Sequence, residues 1–138
     1  MQKEVAMYVT FKEVINVYRG LWLKSSDRYY CLDKLPKNDP LKKKKVLHGC
    51  GLLFTPNYFK FYDGFYPRTF LYAEEMILYL MCQKYQLKQV YVEGTYIYHK
   101  ENQASAMSYD NDKHVRNQYM FKSYKYAVWW AFKSLFYK

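Results

Sequence analysis

Several residue types and patterns that mark particular protein classes are scarce or missing in this sequence. Cysteine occurs three times, at Cys31, Cys50 and Cys82, and an odd number without a close pair argues against a disulfide framework or a zinc site. No uncharged run reaches the length of a membrane span. The first residues, Met-Gln-Lys-Glu, are not apolar, so we expect no secretion signal and a reduced, cytosolic compartment.

Acidic residues are also scarce, and this shapes the choice of partner. The chain has 12 Asp and Glu against 22 Lys and Arg, which gives a formal net charge of +10. Such an excess favours an anionic partner: a nucleotide, a phosphorylated lipid, an acidic membrane or nucleic acid. Aromatic residues are abundant at 22%, but no recognition motif for RNA or DNA accompanies them. We therefore rank nucleic acid last and expect none as a partner.

Hydrophobic periodicity predicts three helices. The first lies within Tyr8–Leu23, with Thr10 as N-cap and Glu13 completing a capping box. The second, Ala73–Tyr85, is apolar all round from Met76 to Cys82, so we expect burial on more than one side. The third covers Lys113–Lys138.

This third segment is predicted to be an amphipathic, aromatic and basic helix. On a helical wheel the apolar arc consists of Met120, Tyr124, Ala127, Val128, Ala131 and Leu135. Lys122, Lys125 and Lys133 gather on another arc with Trp129, and Trp130 is next to it. The apolar arc predicts packing on the domain, and the basic arc is typical of a helix that contacts an anionic membrane surface.

Strands are predicted where short apolar runs are bounded by turn residues. Val46–Phe54 is typical of a buried strand, and Val90–Val92 and Tyr96–Tyr98 predict two short strands around a Glu-Gly turn. Pro56–Phe61 indicates a short helix. Ser25–Lys45 is predicted to be irregular, and its four successive lysines are typical of a solvated loop or of a contact with phosphate.

Two adjacent carboxylates, Glu74 and Glu75, stand where the second helix is predicted to begin. Carboxylates in a first helical turn stabilise the helix dipole, which is a purely structural explanation. A carboxylate there is also a candidate general base if a hydroxyl lies within hydrogen-bond reach. Gly49 and Gly51 flank Cys50, and this pattern indicates either close backbone packing or a wall that a ligand approaches.

Two further polar positions have either a structural role or a role in binding metal or phosphate. His99 follows a predicted strand, and a lone histidine is either structural or a contact to metal or phosphate. Asp110-Asn111-Asp112 has the spelling of a metal-binding Asp-x-Asp motif. Its position just before the third helix favours a polar loop with Asp112 as N-cap.

Taken in order, these segments closely resemble the C-terminal half of family 2 glycosyltransferases. The relatives in question are the bacterial rhamnosyl- and galactofuranosyl-like members that build surface polysaccharides. The resemblance covers about Val46–Ser105. It is carried by Gly49-x-Gly51-Leu-Leu-Phe, Gly64-Phe65, Phe70-Leu71-Tyr72-x-Glu74-Glu75, Val90-x-Val92 and His99.

The resemblance implies an α/β fold, namely a fragment of the GT-A (nucleotide-diphospho-sugar transferase) fold with few strands, flanking helices and a long C-terminal helix. It implies that Glu75 is the catalytic base with Glu74 as its neighbour. Gly49, Cys50, Gly51 and Tyr72 would bind the acceptor. His99 would approach a divalent metal, Mg or Mn, or the diphosphate of the nucleotide-sugar substrate.

The same resemblance implies an organisation for the chain. Residues 1–112 would be the acceptor-side part of a glycosyltransferase domain and 113–138 the aromatic, basic helix. The family's N-terminal donor-binding half has no counterpart here, so we expect that half as a partner and little activity from the 138 residues alone.

The expected reaction is sugar transfer to a hydroxyl of a glycan or lipid-linked acceptor. The expected location is cytoplasmic, peripheral on the inner face of the cell membrane. The alternative is a non-catalytic module that binds a glycan or lipid phosphate.

Overall fold

The computed structural model describes residues 4–7, 9–25, 44–92, 94 and 112–137. Within those ranges the chain forms three α-helices, two short strands and one 3₁₀ turn, in the order β1 (Glu4–Met7), α1 (Phe11–Ser25), β2 (Lys44–Leu47), the 3₁₀ turn (Tyr58–Lys60), α2 (Glu74–Lys84) and α3 (Lys113–Ser134). This is a small domain of mixed helix and strand. No helix in the described part combines the length and apolarity needed to cross a bilayer.

The two strands pair with each other in an antiparallel register. Glu4 lies opposite Leu47, and Met7 lies opposite Lys44. The predicted strand Val46–Phe54 is therefore mostly wrong, because β2 ends at Leu47 and a turn follows at Gly49. Leu53, which a buried strand would hide, is 94% exposed. The glycines that punctuate this run favour a turn over continued pairing.

Val90–Val92 does not form the predicted strand either. These residues have no regular secondary structure, and Val90 and Val92 are 65% and 55% exposed. A short apolar run becomes a strand only when a neighbouring strand accepts its hydrogen bonds. The other predicted strand, Tyr96–Tyr98, lies outside the described residues.

Helices α1 and α3 pack side by side and run in opposite directions. The Phe11 and Phe132 ring centroids are 5.4 Å apart, and those of Tyr18 and Phe121 are 4.9 Å apart, so residue numbers rise along one helix as they fall along the other. Thr10 precedes the first residue of α1, and its carbonyl accepts from the backbone N–H of Val14 at 2.9 Å. Its hydroxyl donates to the carboxylate of Glu13, so the two residues of the predicted capping box are in contact through their side chains.

Helix α2 provides the centre of the core, as its all-round apolar pattern predicted. Met76 and Ile77 are at most 1% exposed, and Leu80 is 2% exposed. Full burial of one such side chain stabilises the fold by about 1.5–3 kcal/mol. Helix α3 packs against both α1 and α2. Helix α2 also contacts β2, so two other elements hold the helix that begins with Glu74 and Glu75.

Candidate functional site

Glu74 and Glu75 are the first two residues of α2, as predicted. The residue before them, Ala73, has a left-handed backbone with φ 67° and makes no side-chain cap. Leu71 also has φ 67°. Positive φ is uncommon for residues with a Cβ and is a signal that concentrates at functional sites. The helix thus begins without a capping side chain, and its two carboxylates occupy the positive end of the dipole.

A long-range contact joins Glu75 to the glycine segment. The backbone N–H of Gly49 donates to Oε1 of Glu75 at 3.1 Å, across 26 positions of sequence. A Cβ at position 49 would lie 2.8 Å from the same oxygen, closer than real Cβ atoms come. The absence of a side chain at Gly49 is therefore what allows this carboxylate to approach. Two residues that the sequence placed in one candidate site are in direct contact.

The neighbouring carboxyl group, Glu74, has a perturbed acidity. Burial raises the pKa of Glu74 above its ordinary value of 4.5, and the charge of Glu75 raises it further. Hydrogen bonds from its own backbone N–H and from those of Leu71 and Tyr72, just before the helix, oppose this rise. A carboxyl group with a raised pKa beside a second carboxylate is a common arrangement in acid–base sites.

Tyr124 of α3 interacts electrostatically with Glu75, and the sequence did not identify it as a site residue. Burial raises the pKa of Tyr124, and the negative charge of Glu75 raises it further. The pattern predicted only that Tyr124 packs inward, which it does. Its electrostatic coupling to Glu75 depends on how α3 lies against α2, and no local signal carries that information.

The remaining glycine-segment residues lie in the turn after β2. The backbone N–H of Cys50 donates to Nδ1 of His48 at 3.1 Å, and the Cys50 side chain is half-buried. Gly51 and Tyr72 are also half-buried. The structure thus brings Gly49 to Glu75, and it places Cys50 and Gly51 in the following residues of the same turn.

The predicted metal contact cannot be placed, because His99 lies outside the described residues. Among those that are described, no group of three His, Cys, Asp or Glu side chains is suited to hold a metal ion. Asp112 is the N-cap of α3, as predicted, since its carboxylate accepts from the backbone N–H of His114 at 2.7 Å. Its role is accounted for by the helix.

An apolar groove of about 850 Å³ begins beside this site. Leu47 and Gly51, which flank the Gly49 turn, line it together with Leu78 and Cys82 of α2. Leu78 is one helical turn beyond Glu75, so the groove runs along α2 away from the carboxylate. Exposed side chains, Leu53 and Val90 among them, form part of the lining.

Tyr58 lines the groove, and a hydrogen bond from its hydroxyl helps to hold the side chain in place. Tyr58 is 5% exposed, and its hydroxyl donates to the carbonyl of Gly64 at 2.8 Å. Burial raises the pKa of Tyr58 to about 12, with a further contribution from Cys82. The phenol therefore stays neutral and acts as a structural donor rather than as a base.

Comparisons with known proteins give no family for this chain: no family model, no curated protein and no solved structure matches it.

Proposed function

We propose that the chain is the acceptor-side part of a sugar-transferring enzyme of the family 2 glycosyltransferase type, with the GT-A fold and with Glu75 as general base. The observation that supports this most is the hydrogen bond between Gly49 and Glu75. The resemblance assigns these two segments to one site, and they are in contact although nothing local requires it.

In the proposed reaction an acceptor hydroxyl attacks the anomeric carbon of a nucleotide-bound sugar. The bond between that carbon and the diphosphate oxygen breaks, and the diphosphate leaves with the electron pair. The hydroxyl proton passes to Oε2 of Glu75, while Oε1 stays hydrogen-bonded to Gly49. The Gly49 contact holds the carboxylate in one orientation, which is the main requirement for a base of this kind.

Glu74 is the alternative candidate for the general base, because its environment changes its acidity. A base works best when its pKa lies near the working pH, and burial moves the pKa of Glu74 in that direction. Glu75 has the better contact to the glycine segment. Separate amide substitutions of the two residues therefore distinguish them.

The apolar groove supports an acceptor with an apolar part. It begins next to the Gly49 turn and is lined by Leu47, Leu78 and Cys82. A free glycan would leave this surface in water, whereas the hydrocarbon of a lipid-linked acceptor would cover it. The same groove also supports the second candidate function, a module that binds a glycan or lipid phosphate without turnover.

The test is a transfer assay on the chain complemented, in trans or as a fusion, with the donor-binding half of a family 2 glycosyltransferase. Uridine- and thymidine-diphosphate sugars serve as donors and alkyl glycosides as acceptors. We expect Glu75→Gln to lower the transfer rate by about 10²–10⁴ and to leave donor binding intact. Glu74→Gln is the matched control and should cost less.

Three results would count against the proposal. Equal rates for the parent and Glu75→Gln would remove Glu75 from the mechanism. A larger loss for Glu74→Gln would move the role of base to Glu74. Acceptor binding without transfer in every complemented form would favour the non-catalytic binding module.

A further inference from the structure

One face of α3 carries lysines and large apolar side chains that remain largely exposed, although the Phe132 ring also meets the edge of Phe11 on α1. Trp129 is 50% exposed, Phe132 is 41% exposed and Phe136, just after the helix, is 70% exposed. Lys125 and Lys122 are exposed one and two turns before Trp129, respectively. We define the α3 stripe as Lys122, Lys125, Trp129, Phe132, Lys133 and Phe136.

These six residues share one face because of their spacing. At about 100° per residue the five that belong to α3 fall within an arc of about 100°, and Phe136 follows just after the helix. The rings of Phe132 and Phe136 confirm the proximity, with centroids 5.4 Å apart. The opposite face is already used for packing, since Ala127 and Ala131 are fully buried and Trp130 is 7% exposed. The sequence placed Trp130 beside the basic arc, but it belongs to the core.

The charge of α3 decides what kind of partner suits the stripe. Residues 113–134 contain five Lys and Arg and no Asp or Glu, on a chain with a net charge of +10. A second copy of the same face would bring lysines against lysines, which is unfavourable. An acidic surface that also accepts apolar rings satisfies both halves of the stripe.

The arrangement of Lys133 and Trp129 fits such a surface in detail. The Lys133 ammonium lies over the face of the Trp129 ring, 4.6 Å from its centroid, so a positive charge and a large apolar ring occupy the same spot on the stripe. Tryptophan favours the headgroup level of a bilayer, where its ring and its N–H are both satisfied. Lysine beside it meets the phosphate of the same headgroups.

From these observations we propose that the α3 stripe docks on an anionic lipid bilayer, with Trp129, Phe132 and Phe136 among the headgroups and with Lys122, Lys125 and Lys133 on their phosphates. The helix lies parallel to the bilayer surface and its other face stays packed on the domain. This inference does not depend on the catalytic role of Glu75, since α3 binds lipid in this way with or without sugar transfer.

The experiment uses the intact chain and two kinds of vesicle: phosphatidylcholine alone, and phosphatidylcholine with about one-third phosphatidylserine. Sedimentation measures the bound fraction at low salt and at about 0.5 M salt, where charges are screened beyond a few ångström. We expect binding to the anionic vesicles only, and its loss at high salt. No binding to anionic vesicles at low salt, or equal binding to both kinds, would overturn the proposal.

Matched variants locate the face. Lys122→Gln/Lys125→Gln should lower the partition coefficient about 25-fold, from about fivefold for each lysine near an anionic surface. Lys60→Gln/Lys84→Gln removes the same charge from exposed positions outside the stripe and should change binding little. An equal loss in the two variants would show a response to overall charge and would overturn the assignment to the stripe.

A spectroscopic readout tests the apolar half without a change of charge. Anionic vesicles should shift tryptophan emission to shorter wavelength in the parent, and Trp129→Phe should remove most of that shift while Trp22→Phe keeps it. Trp22 is the control because it is 45% exposed on α1, outside the stripe. A shift that survives Trp129→Phe would contradict the proposed position of the Trp129 ring among the headgroups.

Oligonucleotide binding tests nucleic acid as the alternative partner. If Lys122→Gln/Lys125→Gln lowers oligonucleotide binding as strongly as it lowers vesicle binding, the stripe would be assigned to nucleic acid instead.

Discussion

The backbone N–H of Gly49 and Oε1 of Glu75 are 3.1 Å apart, and this hydrogen bond ties the turn after β2 to the first turn of α2. It places a carboxylate against a backbone that has no side chain to exclude it. A methyl group at position 49 would lie 2.8 Å from Oε1 and 3.3 Å from Cδ of the same side chain. The contact therefore depends on glycine for space.

Gly49→Ala should impair function more than stability. Gly49 is not among the residues with a left-handed backbone, so alanine fits its conformation, and only the flexible end of Glu75 must move. We expect the free energy of unfolding in urea to change by less than about 1 kcal/mol. A displaced base should lower transfer in the complemented enzyme by roughly 10- to 100-fold.

A double-mutant cycle provides the control for that prediction. If alanine acts through the carboxylate, Gly49→Ala should cost nothing further in a Glu75→Gln background. Additive losses would mean that position 49 acts by another route, such as direct contact with the acceptor.

Glu74→Gln should stabilise the chain at neutral pH. Because the folded-state pKa of Glu74 is raised, the folded state binds its proton more tightly than the unfolded state does. Stability therefore falls as pH rises from the ordinary value of 4.5 through the folded pKa, and it stays lower above that. Glutamine has no charge to bury, so the melting temperature of the variant should exceed that of the parent at pH 7.

The pH dependence of that difference is the check. The advantage of Glu74→Gln should shrink as pH falls below the ordinary value, where both states of the parent hold the proton. A constant difference over the whole pH range would show that the gain does not arise from the ionisation of Glu74.

Glu75→Gln should lower the pKa of Tyr124. The negative charge of Glu75 disfavours a second negative charge on the phenol, and it adds to the effect of burial. NMR titration of chain labelled at tyrosine Cζ measures this pKa. Tyr58 is the internal reference, because its pKa is raised by burial and by Cys82 and owes nothing to Glu75. An unchanged Tyr124 titration would show that the two groups are not coupled.

The sequence predicted the features of this molecule that depend on nearby residues. Asp112 was identified as an N-cap from the first turn of its helix and has that role, and Thr10 was placed correctly just before α1, in contact with Glu13. Helix α2 was predicted within one residue of its observed ends, Glu74 and Lys84, because its apolar run is long enough to specify a buried helix.

The features that the sequence did not predict depend on distant residues. β1 exists only because β2, nearly 40 positions later, pairs with it, and the exposure of Leu53 follows from the turn at Gly49. On α3 the wheel placed Leu135 in the packing arc, but the helix ends at Ser134 and Leu135 is 60% exposed. The contact of Gly49 with Glu75 belongs to the same class, since the pattern suggested each residue and only the fold joins them.

Two tyrosines near the end of α2 offer a matched test of what a buried hydroxyl contributes. The Tyr62 hydroxyl donates to the carbonyl of Met81 at 3.0 Å. The Tyr137 hydroxyl is buried and has no hydrogen-bond partner in the described part of the chain. Burial raises the pKa of Tyr137 to about 12, so the group stays neutral at any ordinary pH and the comparison involves no charge.

Phenylalanine at the two positions should therefore have opposite effects. Tyr62→Phe removes a made hydrogen bond and should lower the free energy of unfolding by about 1 kcal/mol. Tyr137→Phe removes a buried hydroxyl that makes no hydrogen bond in the described part of the chain. This change should leave the free energy of unfolding unchanged or raise it by up to about 1 kcal/mol. Urea unfolding of the two variants and the parent measures both values under the same conditions. A loss for Tyr137→Phe as large as that for Tyr62→Phe would mean that the Tyr137 hydroxyl does have a partner in solution.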